Sequence, residues 1–183
     1  NTTVKKGTLW VGDAVELRVN EKFRHGVETH HTTTHILHAV LREVLGTHVG
    51  QAGSLVAPGR LRFDFTHHSS IDDKDIRKME EIINERIRWD DSVVTDPEVP
   101  YDEAIKRGAM AFFEEKYGDK VRVVSIGEYS KELCGGTHLE SAGEAGLFKI
   151  VSESASAAGV RRIEALAGES AWNHIRGKEE KLT

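Results

Sequence analysis

The sequence has little cysteine, little proline and no long apolar run. Its 183 residues include one Cys and three Pro. A single thiol excludes a disulfide within the chain, which fits a reducing compartment and leaves the thiol available to a metal ion. No apolar stretch is long enough to cross a bilayer, and no signal-peptide pattern is present. These absences predict a cytoplasmic protein that does not enter a membrane.

Positively charged residues are outnumbered by negatively charged ones. Lys and Arg total 25 against 30 Asp and Glu, which gives a net charge of −5. Because contacts to phosphates need cations, this balance disfavours a general nucleic-acid binder. The acidic residues concentrate in 72–115, whereas the basic residues form three separate points: Lys5-Lys6, Arg60/Arg62 and Arg161-Arg162. These points are either ordinary surface charges or contacts for a phosphate backbone at one rim.

Histidine, by contrast, is abundant, with ten in the chain. His31, His35 and His38 fall on one face of a predicted helix, where a spacing of four lets two imidazoles bind one metal ion. The opposite side carries the predicted core residues Leu37, Val40 and Val44. We therefore expect the histidine face to point away from the packing face. For this helix alone, a solvated polar face is the alternative.

The only cysteine lies in a second motif with the same spacing, Cys134-Gly-Gly-Thr-His138. One soft thiolate together with several imidazoles is a donor set that suits zinc. The two motifs are far apart in sequence, so a metal site requires the fold to bring them together. We predict that it does.

The secondary-structure pattern is mixed. A Gly-Asp turn within 9–19 predicts a hairpin, a helix runs from about 30 to 45 and ends at Gly46, and two strands within 47–66 flank Ala57-Pro58-Gly59. Ser70 and Asp73 resemble a capping box before a second helix. That helix carries an apolar stripe of Ile76, Met79, Ile83 and Ile87. Further strands are predicted at 92–95, 121–126, 146–153 and 160–166, a connection between Pro97 and Pro100, a short helix at 101–107 and a last helix from 169.

Several motifs carry a family resemblance, and they occur in family order. They are His31-Thr-Thr-Thr-His35, Leu45-Gly-Thr-His-Val-Gly-Gln51, Leu61-Arg-Phe-Asp-Phe65, Leu133-Cys-Gly-Gly-Thr-His138, Gly146-Leu-Phe148 and Ala158-Gly-Val-Arg-Arg-Ile-Glu-Ala165. Over roughly 7–168 the chain resembles the editing domain of alanyl-tRNA synthetase, which is shared with freestanding trans-editing proteins of the AlaX type. Threonyl-tRNA synthetase has a related domain. The resemblance implies an α+β fold, with an antiparallel or mixed sheet and flanking helices.

The resemblance also implies an activity and its residues. The activity is hydrolysis of tRNA(Ala) mischarged with serine or glycine, and the implied zinc ligands are His31, His35, Cys134 and His138. Thr34 and Gln51 match positions near the aminoacyl group. Arg161, Arg162, Gly135 and Gly136 are candidate tRNA contacts. One zinc per chain is expected, whereas ATP and Mg²⁺ belong only to a full-length synthetase.

The resemblance further implies a division of the chain. Residues 1–20 are interpreted as the remnant of a preceding β-barrel subdomain, 21–168 as the editing domain and 169–183 as the start of a linker helix. The rest of the synthetase is then expected in cis.

Some alternatives remain open at this point. His30 lies next to the first implied ligand and is an alternative to it, although on a helix it points about 100° away. His38 is either a partner of the ligands or a further ligand. Zinc either activates water or only positions the ester, because four protein ligands would close a tetrahedral ion. A non-catalytic zinc module that binds tRNA, a freestanding deacylase and a zinc hydrolase acting on a small molecule are the competing functions.

Overall fold

The computed structural model describes residues 3–111 and 117–181, and in them it confirms the α+β class. These residues form two antiparallel sheets and four α-helices. In order, the elements are α1 (Glu21–Leu45), β1 (Gln51–Ala57), β2 (Arg60–Thr66), α2 (Asp73–Trp89), β3 (Val93–Pro100), α3 (Tyr101–Lys106), β4 (Lys120–Ile126), β5 (Ser130–Leu133), a 3₁₀ helix (Ala142–Ala145), β6 (Phe148–Ala157), β7 (Val160–Ala167) and α4 (Glu169–Glu179).

The main core lies between a four-stranded sheet and helices α1 and α2. The sheet has the order β1-β2-β7-β6. Alternation along β2 turns Phe63 and Phe65 toward the helices, where both are fully buried. The predicted stripe of α2 is confirmed, since Met79, Ile83 and Ile87 are buried there. Other fully buried members of this core are Ile36, Leu37, Val40, Leu41, Leu61 and Ile163.

Helix α1 is longer and more enclosed than its sequence predicts. It begins at Glu21 rather than near 30, and the Asn20 side chain caps it by accepting from the amide of Phe23 at 2.9 Å. The sequence does not predict the first turns of α1, because Gly26 and the neighbouring β-branched residues are weak helix formers. A tertiary contact favours the glycine, since a Cβ there would collide with the backbone of Pro58.

The second sheet covers the histidine side of α1. It has the order β3-β4-β5, and its short strand β5 contacts the helix. His35 is therefore 5% exposed and His38 1% exposed. The prediction that the histidine face points away from the packing is wrong, because α1 is buried on both sides.

Three local predictions also need correction. Within 9–19 only the turn forms, with the Asp13 amide donating to the Trp10 carbonyl, because two strands with exposed side chains have nothing to pack against. The cap of α2 is Asp72, which accepts from the Asp75 amide, rather than Ser70. Pro97 lies inside β3 instead of flanking a connection. An edge strand with a register shift tolerates it.

Among the described residues, the helices are all too short or too polar to cross a bilayer.

Candidate metal centre and adjoining cavity

Helix α1 supplies two imidazoles from a surface crowded with threonine. The hydroxyls of Thr33 and Thr34 each donate to a carbonyl one turn earlier, at 2.8 Å to Thr29 and 2.6 Å to His30. Such bonds satisfy buried hydroxyls without any partner outside the helix. The threonines can therefore be buried on either side of His31 and His35.

The loop after β5 supplies the thiol and the third imidazole. The Arg122 side chain of β4 holds this loop by donating to the carbonyls of Cys134 at 2.8 Å and Gly136 at 2.6 Å. Thr32 of α1 holds its far end, since its hydroxyl accepts from the Leu139 amide at 3.1 Å. The loop is thus fixed at both ends against other elements.

The two segments meet, as predicted. His31, His35, Cys134 and His138 each offer one donor atom, and these four atoms lie within 4.8 Å of one another. The Cys134 Sγ is 3.5 Å from His31 Nε2 and 3.4 Å from His138 Nε2. Tetrahedral zinc, with bonds of about 2.3 Å to sulfur and about 2.1 Å to nitrogen, would hold such atoms about 3.6 Å apart. The donor set and its spacing fit that ion.

Each of the three imidazoles has an oxygen close to its Nδ1. His31 Nδ1 is 3.1 Å from the Thr137 carbonyl, His35 Nδ1 is 2.5 Å from Glu132 Oε2, and His138 Nδ1 is 3.3 Å from Thr32 Oγ1. A proton held at Nδ1 leaves Nε2 as the ligand atom. The tautomers needed for metal binding are therefore favoured by the surrounding structure.

The electrostatics of the centre suit a cation. Burial alone would raise the pKa of the Cys134 thiol, but hydrogen-bonding contacts with His138, His31 and His35 lower it to about 3. Burial opposes charge on His35 as well, yet the Glu132 carboxylate and the Cys134 thiolate raise its pKa to about 10. A metal ion that binds Nε2 of His35 would thus replace a proton there.

A cavity of about 220 Å³ is lined by three of the four donor residues, His31, His35 and Cys134. Thr34 and Gln51, the two residues expected near an aminoacyl group, both line it. Ser54 also lines it and accepts from the Gln51 amide at 3.3 Å. The complete lining is His31, Thr34, His35, His38, Gln51, Ser54, Phe63, Glu132, Leu133, Cys134 and Gly135. No Lys or Arg is among these described residues.

The other predicted residues lie in different settings. Arg161 makes a paired contact with Glu153 at 2.6 and 2.7 Å, and Arg162 with Asp64 at 2.6 and 2.9 Å. Both guanidinium groups are thus engaged by carboxylates on the sheet, and their contact with tRNA stays a prediction.

The glycine and histidine residues next to the candidate ligands lie in different surroundings. Gly135 is exposed at the cavity, whereas Gly136 is so close to the His31 ring that a Cβ would overlap it. His30 does not compete for the metal. Its Nδ1 donates to the Gly26 carbonyl at 2.8 Å and its Nε2 accepts from the Ala167 amide at 3.1 Å, and burial lowers its pKa. Neutral His30 links α1 to β7.

Two residues at the centre were not found from the sequence. Glu132 is a single acidic residue in a four-residue strand, and Arg122 is one of several scattered arginines. The alternation in Val121 to Val124 predicts that Arg122 points away from the core side of β4. It does not predict that the guanidinium would reach the carbonyls of the cysteine loop.

Comparison with known proteins shows which families the sequence resembles. A family model described as the threonyl and alanyl tRNA synthetase second additional domain matches residues 121–164. The match contains Cys134 and His138 but not the helical histidines. It fits the predicted editing-domain type of the α+β fold.

Curated relatives extend the similarity to almost the whole chain. An alanine--tRNA ligase of Fervidobacterium nodosum is 56% identical over 174 residues, which is 95% of this chain and 20% of the relative. Alanine--tRNA ligases of Acetivibrio thermocellus and Nitrosomonas europaea are 55% and 49% identical, over 98% and 100% of this chain and 20% and 21% of their own lengths. The resemblance to the alanyl-tRNA synthetases is confirmed. The chain spans about a fifth of the length of these relatives.

Proposed function

We propose that this chain carries a zinc-dependent site that hydrolyses Ser-tRNA(Ala) and Gly-tRNA(Ala). The observation that carries the proposal is the convergence of four donor atoms within 4.8 Å beside a cavity lined by Thr34 and Gln51. Similarity to a segment of alanine--tRNA ligases supports it. In this proposal the rest of a synthetase acts in cis and the reaction takes place in the cytoplasm.

A site of this kind answers a physical limit on selectivity. A synthetic pocket shaped for alanine cannot exclude glycine by size, and a small apolar pocket rejects the extra hydroxyl of serine only weakly. A second, hydrolytic site that prefers the wrong esters restores accuracy. The cavity described here is small and partly polar, which suits a short aminoacyl group.

His31, His35, Cys134 and His138 would hold the zinc ion. Bound zinc supplies Lewis-acid polarisation of the ester or of a water molecule. The chain's own residues supply the rest: the acceptors at Nδ1 orient the imidazoles, and the Arg122 contacts keep the cysteine loop in place. Little further help is needed, because correct positioning alone accelerates hydrolysis of a labile ester.

Thr34 and Gln51 would recognise the seryl hydroxyl. Because the Thr34 hydroxyl donates its proton to the His30 carbonyl, its oxygen is left as an acceptor at the cavity. Gln51 brings a carbonyl acceptor and the amide hydrogen that is not donated to Ser54. A seryl group can fill these partners, whereas an alanyl group leaves them unpaired, and this difference favours hydrolysis of the serine ester.

A non-catalytic zinc module that binds tRNA is the second candidate, and one observation favours it. Four protein ligands fill a tetrahedral ion, and closed sites of this kind are usually structural. In that case the cavity beside the ion has no hydrolytic role. The zinc ion would then stabilise only the contact between α1 and the cysteine loop.

The deciding experiment compares deacylation of Ser-tRNA(Ala) and Ala-tRNA(Ala) by the wild-type chain and by Cys134→Ala. We expect selective release of serine by the wild type and none by the variant. Equal rates on the two esters, or serine release that survives loss of the thiol, would refute the proposal. Zinc binding with no hydrolysis of either ester would instead favour the non-catalytic module.

A matched pair on α1 tests recognition of the hydroxyl. Thr34→Val and Thr33→Val remove equivalent hydroxyls, but only Thr34 lines the cavity. We expect Thr34→Val to lower the preference for serine over alanine about tenfold and Thr33→Val to leave that preference unchanged. Equal preferences in the two variants would exclude Thr34 from substrate recognition.

A further inference from the structure

A buried carboxylate lies between two histidines of α1. Glu132 of β5 is 3% exposed. Its Oε2 is 2.5 Å from Nδ1 of His35, and its Oε1 is 3.0 Å from Nδ1 of His38. One side chain thus joins an imidazole at the metal centre to a second imidazole in the cavity wall.

This placement is costly unless the carboxylate is fully engaged. Removing an ionised carboxylate from water carries a penalty that only close partners offset. Strand alternation places Glu132 on the inner side of β5, between the half-buried Lys131 and Leu133. An apolar residue at this position would pack against α1 without this desolvation penalty. Unlike an apolar residue, the carboxylate contacts two histidines.

The contact fixes which nitrogen of His35 can bind a metal ion. A carboxylate oxygen 2.5 Å from Nδ1 favours a proton on that nitrogen, which leaves Nε2 to bind the metal ion. His31 and His138 have neutral oxygens in the same role, the Thr137 carbonyl and the Thr32 hydroxyl. Glu132 is the charged member of this set, and a carboxylate attracts a proton at Nδ1 more strongly than a neutral oxygen does.

The same carboxylate also restrains the cavity. His38 lines it, and the His38 ring lies 5.2 Å from the Phe63 ring, measured between centroids. Because Oε1 of Glu132 engages His38 while Oε2 engages His35, a shift of the carboxylate would move both rings. The metal centre and the cavity wall are therefore coupled through one residue.

We propose that Glu132 is a positioning residue: its carboxylate holds His35 with Nε2 directed at the metal and holds His38 in the wall of the adjoining cavity. The inference rests on the metal site of the proposed function. It does not require the hydrolytic part of that function.

Glu132→Gln tests the proposal, because it keeps the size of the side chain and removes its charge and one acceptor. We expect zinc to bind about 10- to 100-fold more weakly to the variant, which is the usual cost of losing such an outer partner. Competition with a chromogenic chelator measures the zinc affinity, and circular dichroism reports the fold. The control is Glu128→Gln, an exposed residue of the turn between β4 and β5, which should bind zinc as the wild type does.

A second measurement needs no variant and holds even where Glu132→Gln fails to fold. Long-range ¹H–¹⁵N spectra of the zinc-loaded wild type should show His35 bound through Nε2 and protonated at Nδ1. Coordination of His35 through Nδ1 would overturn the proposal. So would a folded Glu132→Gln that binds zinc with wild-type affinity.

The outcomes separate this inference from the proposed function. A wild type that binds zinc and shows the expected tautomer, yet hydrolyses neither ester, contradicts the deacylase activity and leaves the role of Glu132 standing. A wild type that hydrolyses Ser-tRNA(Ala), with zinc affinity insensitive to Glu132→Gln, contradicts only the role of Glu132. A wild type that binds no zinc contradicts both.

Discussion

The two halves of the candidate metal centre are held in place by different means. His31 and His35 belong to a 25-residue helix that is buried against both sheets. Cys134 and His138 belong to a loop whose ends are held by hydrogen bonds from Arg122 and to Thr32. The helical half is part of the core, whereas the loop half is attached to it through polar contacts.

Because of this difference, we expect substitutions in the two halves to affect protein stability and metal binding differently. A change in the helical half disturbs buried partners such as Glu132, so it affects the free energy of unfolding as well as the metal. A change in the loop half affects the metal and leaves the core intact. The predictions below test that separation, in order of decreasing effect.

The largest effect is expected from removing a ligand in either half. His35→Ala and Cys134→Ala should each weaken zinc binding by at least about 100-fold, more than loss of an outer partner. Only His35→Ala leaves a buried carboxylate short of a partner, so it should also lower the melting temperature of the metal-free protein by several degrees. Chelator competition and thermal denaturation measure the two effects. If both variants melt at the same temperature, the contrast between the halves is wrong.

The glycines of the loop provide a sharper pair. A Cβ at Gly136 would overlap the His31 ring, whereas a Cβ at Gly135 meets nothing within 4 Å. Gly136→Ala should displace the imidazole and weaken zinc binding by about 10- to 100-fold, while Gly135→Ala should bind zinc normally. Calorimetric titration with zinc distinguishes them. Equal affinities would mean that the loop moves freely, contrary to its fixed ends.

The loop half also depends on a residue outside it. Arg122→Gln removes the donors to the carbonyls of Cys134 and Gly136, so zinc should bind about tenfold more weakly while β4 remains paired with β3 and β5. Arg107→Gln is the control, because the Arg107 guanidinium pairs with the exposed carboxylates of Asp96 and Glu103 rather than with the cysteine loop. A wild-type zinc affinity in Arg122→Gln would show that the loop holds its shape without the guanidinium.

The sequence predicted the clustering of the four candidate ligand residues more fully than their surroundings. The spacing of four in both motifs identified the residues that meet, because helical periodicity and a short glycine loop are local properties. Burial of the histidine face was missed, because it depends on β5, a strand of four residues far along the chain. Glu132 was missed for the same reason, since a lone acidic residue gives no local sign that it will face a helix. Local sequence patterns therefore predicted the candidate ligand residues but not the long-range contacts around them.

The smallest effect is expected away from both halves, on the four-stranded sheet. Hydrogen bonds from Arg162 lower the pKa of Asp64. Because the folded pKa is the lower one, the stabilising contribution is complete above the unfolded value of about 3.9 and is lost as the pH falls through the folded value. Asp64→Asn should melt about 2–4 °C below the wild type at pH 7, and the gap should close below about pH 4.

Zinc affinity gives the control for this last variant. The ion-pair partners of Asp64 are Arg62 and Arg162, and neither is one of the four metal-donor residues. Asp64→Asn should therefore bind zinc as the wild type does. A gap in melting temperature that widens in acid would reverse the sign of the argument. A loss of zinc affinity would show that the sheet and the metal centre are coupled.

Metal content of the wild-type chain tests the central claim most directly. After exposure to zinc and removal of excess by gel filtration, elemental analysis should find one zinc ion per chain, and the cobalt-substituted protein should show the sulfur-to-metal absorption of a bound thiolate. Both signals should fall in His35→Ala, and the absorption should vanish in Cys134→Ala. A wild type that retains no metal, or retains it equally without His35 and without Cys134, would contradict the account.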